Sequence, residues 1–113
     1  MLRLMTPLAA IVTVAVPAFS DSIVTTDAGP MAISRVADGL IEPWAIAFLP
    51  DGGFLITERG GVLKHFSRPM AEPVVIDGLP AIAVFGQGGL LDVMVPRDFA
   101  GSREIWFTYS VAK

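Results

Sequence analysis

The chain has 113 residues, 53% of them hydrophobic, and eight Lys and Arg against eleven Asp and Glu leave a net charge of −3. One small domain fits this length, and an acidic balance with no basic run argues against a nucleic-acid partner. The absence of cysteine excludes a disulfide scaffold, a thiolate zinc site and a cysteine nucleophile.

Residues 1–20 read as a secretory signal peptide. Met1–Pro7 carries a single charge at Arg3, Leu8 to Phe19 is apolar, and Ala18-Phe19-Ser20 has the small-x-small form of a signal-peptidase site. The uncharged run from Leu4 to Phe19 is 16 residues long and holds Pro17 near its end, short of the roughly 20 residues that span a bilayer. Cleavage is expected after Ser20, leaving a domain over 21–113 with no membrane span and a periplasmic or secreted location.

Beyond the leader, Asp21 to Pro30 is small and polar and reads as a flexible lead-in. Ile33–Ala37 is the first expected strand. In Trp44–Leu49, Trp44, Ile46 and Phe48 fall on one face, and Ala45, Ala47 and Leu49 on the other. Pro50-Asp51-Gly52-Gly53 is a turn, since Pro presets φ, Asp bonds its own backbone and Gly accepts positive φ. Phe54–Arg59 returns, Gly60-Gly61 turns again, and Val62–Phe66 completes an antiparallel meander. Val74–Ile76 is a short strand between closely spaced prolines, Leu90–Val95 is another, Pro96 to Ser102 is a loop, and Ile105–Tyr109 is the last strand. No apolar run keeps helical spacing for three turns, so the chain is all-β.

Both faces of Trp44–Leu49 are apolar, which suits a sheet covered on both sides. Stacked four-stranded blades of a propeller are covered in that way. The segment 33–66 supplies about one blade and 90–109 part of a second.

Three blocks carry a family resemblance: Val36-Ala37-Asp38-Gly39-Leu40 with Pro43-Trp44-Ala45-Ile46-Ala47-Phe48-Leu49-Pro50-Asp51-Gly52; Leu55-Ile56-Thr57-Glu58-Arg59-Gly60-Gly61; and Gly86-Gln87-Gly88-Gly89-Leu90-Leu91-Asp92-Val93, followed by Asp98-Phe99-Ala100 and Ile105-Trp106-Phe107-Thr108-Tyr109. In this order and spacing the chain resembles the N-terminal portion of the glucose/sorbosone dehydrogenase family, and more closely the soluble aldose sugar dehydrogenases that depend on pyrroloquinoline quinone (PQQ). The resemblance implies a partial six-bladed β-propeller comprising the first blade and part of the second. It further implies PQQ and calcium as cofactors, an aldose as substrate and an external electron acceptor. The reaction implied is oxidation of the anomeric carbon to a lactone.

Residue by residue, the resemblance carries over one cofactor contact, Gln87, whose neutral amide can donate to a carboxylate or carbonyl oxygen of the quinone. Gly86, Gly88 and Gly89 are expected to let the backbone approach a flat ligand. The family's catalytic histidine, calcium ligands and neutralising cations have no counterpart here, so no catalytic residue and no metal ligand is assigned. The departure from the family pattern is Arg97, which intervenes between Pro96 and Asp98.

Other chemistry-bearing residues have plainer readings. His65, the single histidine, is a surface or packing residue. Glu58 and Arg59, adjacent on a strand, point to opposite faces and pair across strands or face solvent. Asp92 is expected on the face of Leu90 and Met94, buried and bonded to backbone. Asp51, Asp77 and Asp98 are turn residues, and Trp44 and Trp106 pack between blades. The chain alone is expected to bind the quinone weakly, because one amide leaves three carboxylates without cations. The alternatives are an exported non-catalytic propeller that binds a ligand or cell-surface partner, an inactive truncated remnant, and a small secreted β-domain that oligomerises.

Overall fold

In this computed structural model, Ser22–Lys113 are described; the leader reading falls on residues outside that range. The chain divides into two compact units that meet at Ser34 and Arg35.

In the first unit, β1 (Ser22–Thr26) and β2 (Gly29–Ile33) form an antiparallel hairpin in which Thr26 faces Gly29 and Ser22 faces Ile33. The Thr26 hydroxyl donates to the Gly29 carbonyl at 2.8 Å, and Gly29 takes φ +110° as the chain reverses. This corrects two expectations. The stretch read as a lead-in is paired, because the β-branched run Ile23-Val24-Thr25-Thr26 favours extended backbone despite its polarity. The strand expected over Ile33–Ala37 ends instead at Ile33, and residues 34–42 carry no strand.

The second unit contains a four-stranded antiparallel sheet in the order β3 (Pro43–Phe48), β4 (Phe54–Glu58), β5 (Val62–Phe66) and β6 (Val74–Val75). The first turn closes as the sequence requires: Asp51 Oδ1 accepts from Gly53 N–H at 3.0 Å, and Gly52 sits at φ +89°. A separate antiparallel pair, β7 (Leu90–Met94) with β8 (Trp106–Tyr109), completes the unit. Between them, the segment expected to be all loop contains α1 (Phe99–Ser102). It ends at Arg103 in a left-handed conformation, with the Arg103 N–H on the Phe99 carbonyl at 2.9 Å and the guanidinium 4.7 Å above the Phe99 ring.

Strand β4 is buried along its whole length because each face meets a different partner. Leu55 clusters with Leu63, Leu90 and Val93, joining the two sheets, with Ala45, Ala47 and Leu49 packed alongside. Phe54 and Ile56 cluster with Phe66 on the opposite face, under Ala37 and Leu40. There the Phe54 and Phe66 rings stack at 4.9 Å and 10°. Each fully buried Leu or Phe contributes about 1.5–3 kcal/mol, so β4 is the element on which the unit depends most.

The small-residue face of β3 is covered, whereas Trp44, Ile46 and Phe48 are 50%, 45% and 71% exposed, and Trp106 is exposed as well. Ala37 and Leu40 cover only the β4–β5 part of the large-residue face, and the rest is the apolar surface expected to lie against a neighbouring blade. One expectation about faces needs correction. Asp92 is exposed and not buried, although its Oδ1 does accept from the Val93 N–H at 2.9 Å. The reason is a bulge: Leu90 faces Tyr109 but Val93 faces Phe107, so one extra residue shifts the alternation. Leu90 and Val93 both turn inward and Asp92 turns out.

Candidate functional site

The ends of four strands converge around the Gly86–Gly89 turn. Arg59 follows β4, Glu42 precedes β3, Gly89 precedes β7 and Ser110 follows β8. The Leu90 N–H donates to the Arg59 carbonyl at 3.0 Å, joining the two sheets at this end. The Ser110 N–H donates to the Gly89 carbonyl at 3.0 Å, and Ser110 exchanges two more bonds with Ala83 through its carbonyl (2.8 Å) and its hydroxyl (2.6 Å).

The turn is built over Phe85–Gly88, with the Gly88 N–H on the Phe85 carbonyl at 2.8 Å and Gly86 at φ +57°. Its glycines divide their work. A Cβ on Gly89 would collide with the Arg59 carbonyl oxygen, and one on Gly88 would stand 2.6 Å from Ser110 Oγ. Nothing lies within 4 Å of a Cβ on Gly86. Gly89 therefore admits the Arg59 backbone and Gly88 the Ser110 side chain, and of the three only Gly86 faces open space.

Gln87 is exposed at the crest of this turn, and its carboxamide has no hydrogen-bond partner among the described residues. An exposed, unpaired amide on a fixed turn can donate to and accept from a ligand oxygen, so Gln87 fits a single polar contact to a quinone. The cation bonded to the turn is already committed: Arg59 Nη2 contacts Glu42 Oε1 and Oε2 at 2.9 and 3.0 Å.

Of the other residues singled out in the sequence, Arg59 borders this turn, and the rest lie apart from it. Glu58 and Arg59 do pair across strands, Arg59 with Glu42 and Glu58 with Lys64 at 2.7 Å. In this pair Glu58 is buried and Lys64 half-buried, and the Ile41 N–H also donates to Glu58 Oε1 at 2.7 Å. His65 is half-buried beside a cleft of about 350 Å³ lined by Leu49, Leu55, Ile76, Phe99, Arg103 and Ile105. Asp77 and Asp98 are exposed. Among the described residues, no group of three His, Asp or Glu is placed to hold a metal ion.

Glu42, Thr57 and Ser110 were not singled out by sequence reasoning. For Glu42 a signal existed: the hairpin register that sets Pro43 against Glu58 brings the next pair, Glu42 and Arg59, together as opposite charges. Thr57 is fully buried, donating to the Leu91 carbonyl at 2.6 Å and accepting from the Ala45 N–H at 3.1 Å; a lone strand threonine offers no such sign.

The profile of the family described as Glucose / Sorbosone dehydrogenase matches residues 40–113, which contain both sheets and the turn. The chain belongs to the glucose/sorbosone dehydrogenase family. Within it, the chain is 51% identical over 79 residues to the aldose sugar dehydrogenase YliI of Escherichia coli (strain K12), an alignment covering 69% of this chain and 21% of that one. The crystal structure of the soluble aldose sugar dehydrogenase from Escherichia coli in its apo-form superimposes with a TM-score of 0.65 at 46% identity, covering 71% of this chain and 23% of that one. The PQQ-bound aldose sugar dehydrogenase from Streptomyces coelicolor gives 0.67 over 86% of this chain and 27% of that one; at 23% identity it speaks for the fold alone. The chain thus spans about a fifth to a quarter of these glucose/sorbosone dehydrogenase relatives. Their fold makes the four-stranded sheet one propeller blade and β7–β8 part of the next.

Proposed function

We propose that this chain supplies the first blade and part of the second to a PQQ-dependent aldose sugar dehydrogenase, and that Gln87 contacts the quinone. The observation that carries the reading is the unpartnered Gln87 carboxamide, held on a rigid turn within the stretch that matches the family. A bound quinone would supply the two-electron acceptor for oxidising the anomeric carbon of an aldose to its lactone. The part of these residues is to bind and orient: the turn presents Gln87, and its donor–acceptor amide selects a carboxylate or carbonyl oxygen on the cofactor's rim.

Several finer points belong to the same proposal. Calcium, a catalytic base and the cations that neutralise the cofactor come from residues outside those described, and electrons pass to an external acceptor. Residues 1–20 are a leader, so the mature protein begins at Asp21 in the periplasm or outside the cell. The 113 residues alone hold the quinone weakly, since Arg59 is occupied by Glu42 and one amide does not offset three desolvated carboxylates.

The test is titration of PQQ into the complete gene product with calcium, followed by aldose oxidation with an artificial electron acceptor. We expect saturable quinone binding, aldose-dependent reduction of the acceptor, and a weaker quinone affinity in Gln87→Ala with the fold intact. No binding by the complete gene product, or an affinity indifferent to Gln87→Ala, would sink the assignment. Intact mass from the source cell supplies a check. A value roughly fourfold that of this chain follows from the quarter share of the relatives it covers.

A further inference from the structure

We infer that Glu42 and Arg59 form a positioning clamp that sets the direction in which Gln87 projects; this rests on the reading of Gln87 as a quinone contact. A single guanidinium nitrogen, Arg59 Nη1, donates to the carbonyls on either side of that residue, Gly86 at 3.3 Å and Gly88 at 3.1 Å. Together with the Gly88 N–H on the Phe85 carbonyl, these bonds hold the peptide planes flanking Gln87. They fix its Cα–Cβ direction and leave the side chain free to meet a ligand.

Arg59 is itself held from the far side. Its Nη2 carries both carboxylate oxygens of Glu42, and its own N–H donates to the Glu42 carbonyl at 3.0 Å. Glu42 adopts φ +46°, a left-handed conformation that a residue with a side chain takes only where its surroundings enforce it. A planar fork can meet a carboxylate on one nitrogen and two carbonyls on another; a lysine ammonium has no fixed plane with which to do so. The clamp thus acts on the quinone only through Gln87, as a positioning residue acts.

The experiment is a double-mutant cycle in the complete gene product, read by the dissociation constant for PQQ and by hydrogen exchange of the Gly88 amide in the quinone-free protein. We expect Arg59→Met to weaken quinone binding about tenfold, the scale of a lost charge-assisted hydrogen bond, with Arg59→Lys failing to restore it. Combined with Gln87→Ala, Arg59→Met should add less than about twofold, because both changes remove the same interaction. Gly88 exchange should accelerate in Arg59→Met and stay unchanged in Gln87→Ala. If Arg59→Met does not fold, Glu42→Gln keeps the arginine and should shift both readouts the same way by a smaller factor. Fully additive losses, an affinity unmoved by Arg59→Met, or rescue by Arg59→Lys would overturn the clamp. Unchanged Gly88 exchange would overturn it while leaving the role of Gln87 standing. An affinity indifferent to Gln87→Ala would remove the cofactor reading and this inference with it.

Discussion

Of the three pairs of adjacent glycines in the second unit, Gly60-Gly61 and Gly88-Gly89 do different physical work. Gly60-Gly61 reverses the chain between β4 and β5. Gly61 needs its φ of +98°, while nothing lies within 4 Å of a Cβ on Gly60. Gly88-Gly89 lies where two sheets meet, and both positions are closed by contacts distant in sequence, Arg59 and Ser110. The first pair serves local backbone geometry and the second serves close approach. In sequence the two look alike, and only the neighbours tell them apart.

Substitution should separate the pairs in order of cost. Gly89→Ala is expected to be the most damaging, at about 3 kcal/mol or more, because a methyl group cannot share space with the Arg59 backbone and φ is +155° as well. Urea denaturation of the purified variant measures this, and a near-native midpoint would contradict it. Thr57→Val should follow at about 1–3 kcal/mol, since it strands the Leu91 carbonyl and the Ala45 N–H in a buried setting. It therefore tests the joint between sheets without touching a glycine. Gly61→Ala should cost roughly 1–2 kcal/mol from backbone strain alone, as a Cβ there meets Ile82 at an ordinary 3.7 Å. Gly60→Ala should change stability by less than about 0.5 kcal/mol. Should Gly60→Ala prove as costly as Gly89→Ala, the distinction between the pairs collapses.

Much of the second unit was legible in the sequence. Strands β3, β4 and β5 fall within one residue of expectation because each alternates between two faces and is bounded by Pro, Asp or Gly turns that act locally. The hairpin β1–β2 was not legible, since its signal is β-branching in a polar stretch and not an apolar face. The outward turn of Asp92 was hidden for another reason: a bulge depends on the partner strand's register, which period-two counting along one strand does not contain. At the candidate site, Gln87 was legible only through the family resemblance of its motif, and Arg59 was read as pairing across strands or facing solvent and not as part of a site. Glu42 and Ser110 come from other strand ends, and their convergence on the turn is a property of the tertiary fold.

The bulge in β7 has a consequence for the seam between the sheets. Leu91 and Asp92 have no opposing residue on β8 in the register, so the peptide unit linking them is released from the ladder. Its two ends are taken up by threonine hydroxyls of different sheets: Thr57 donates to the Leu91 carbonyl at 2.6 Å, and Thr108 accepts from the Asp92 N–H at 3.0 Å. One irregular residue thereby turns hydrogen-bonding capacity that would have run along a sheet into a crosswise bridge. Deleting it would straighten β7 and keep Leu90 and Val93 on one face, yet it would unlace the two sheets.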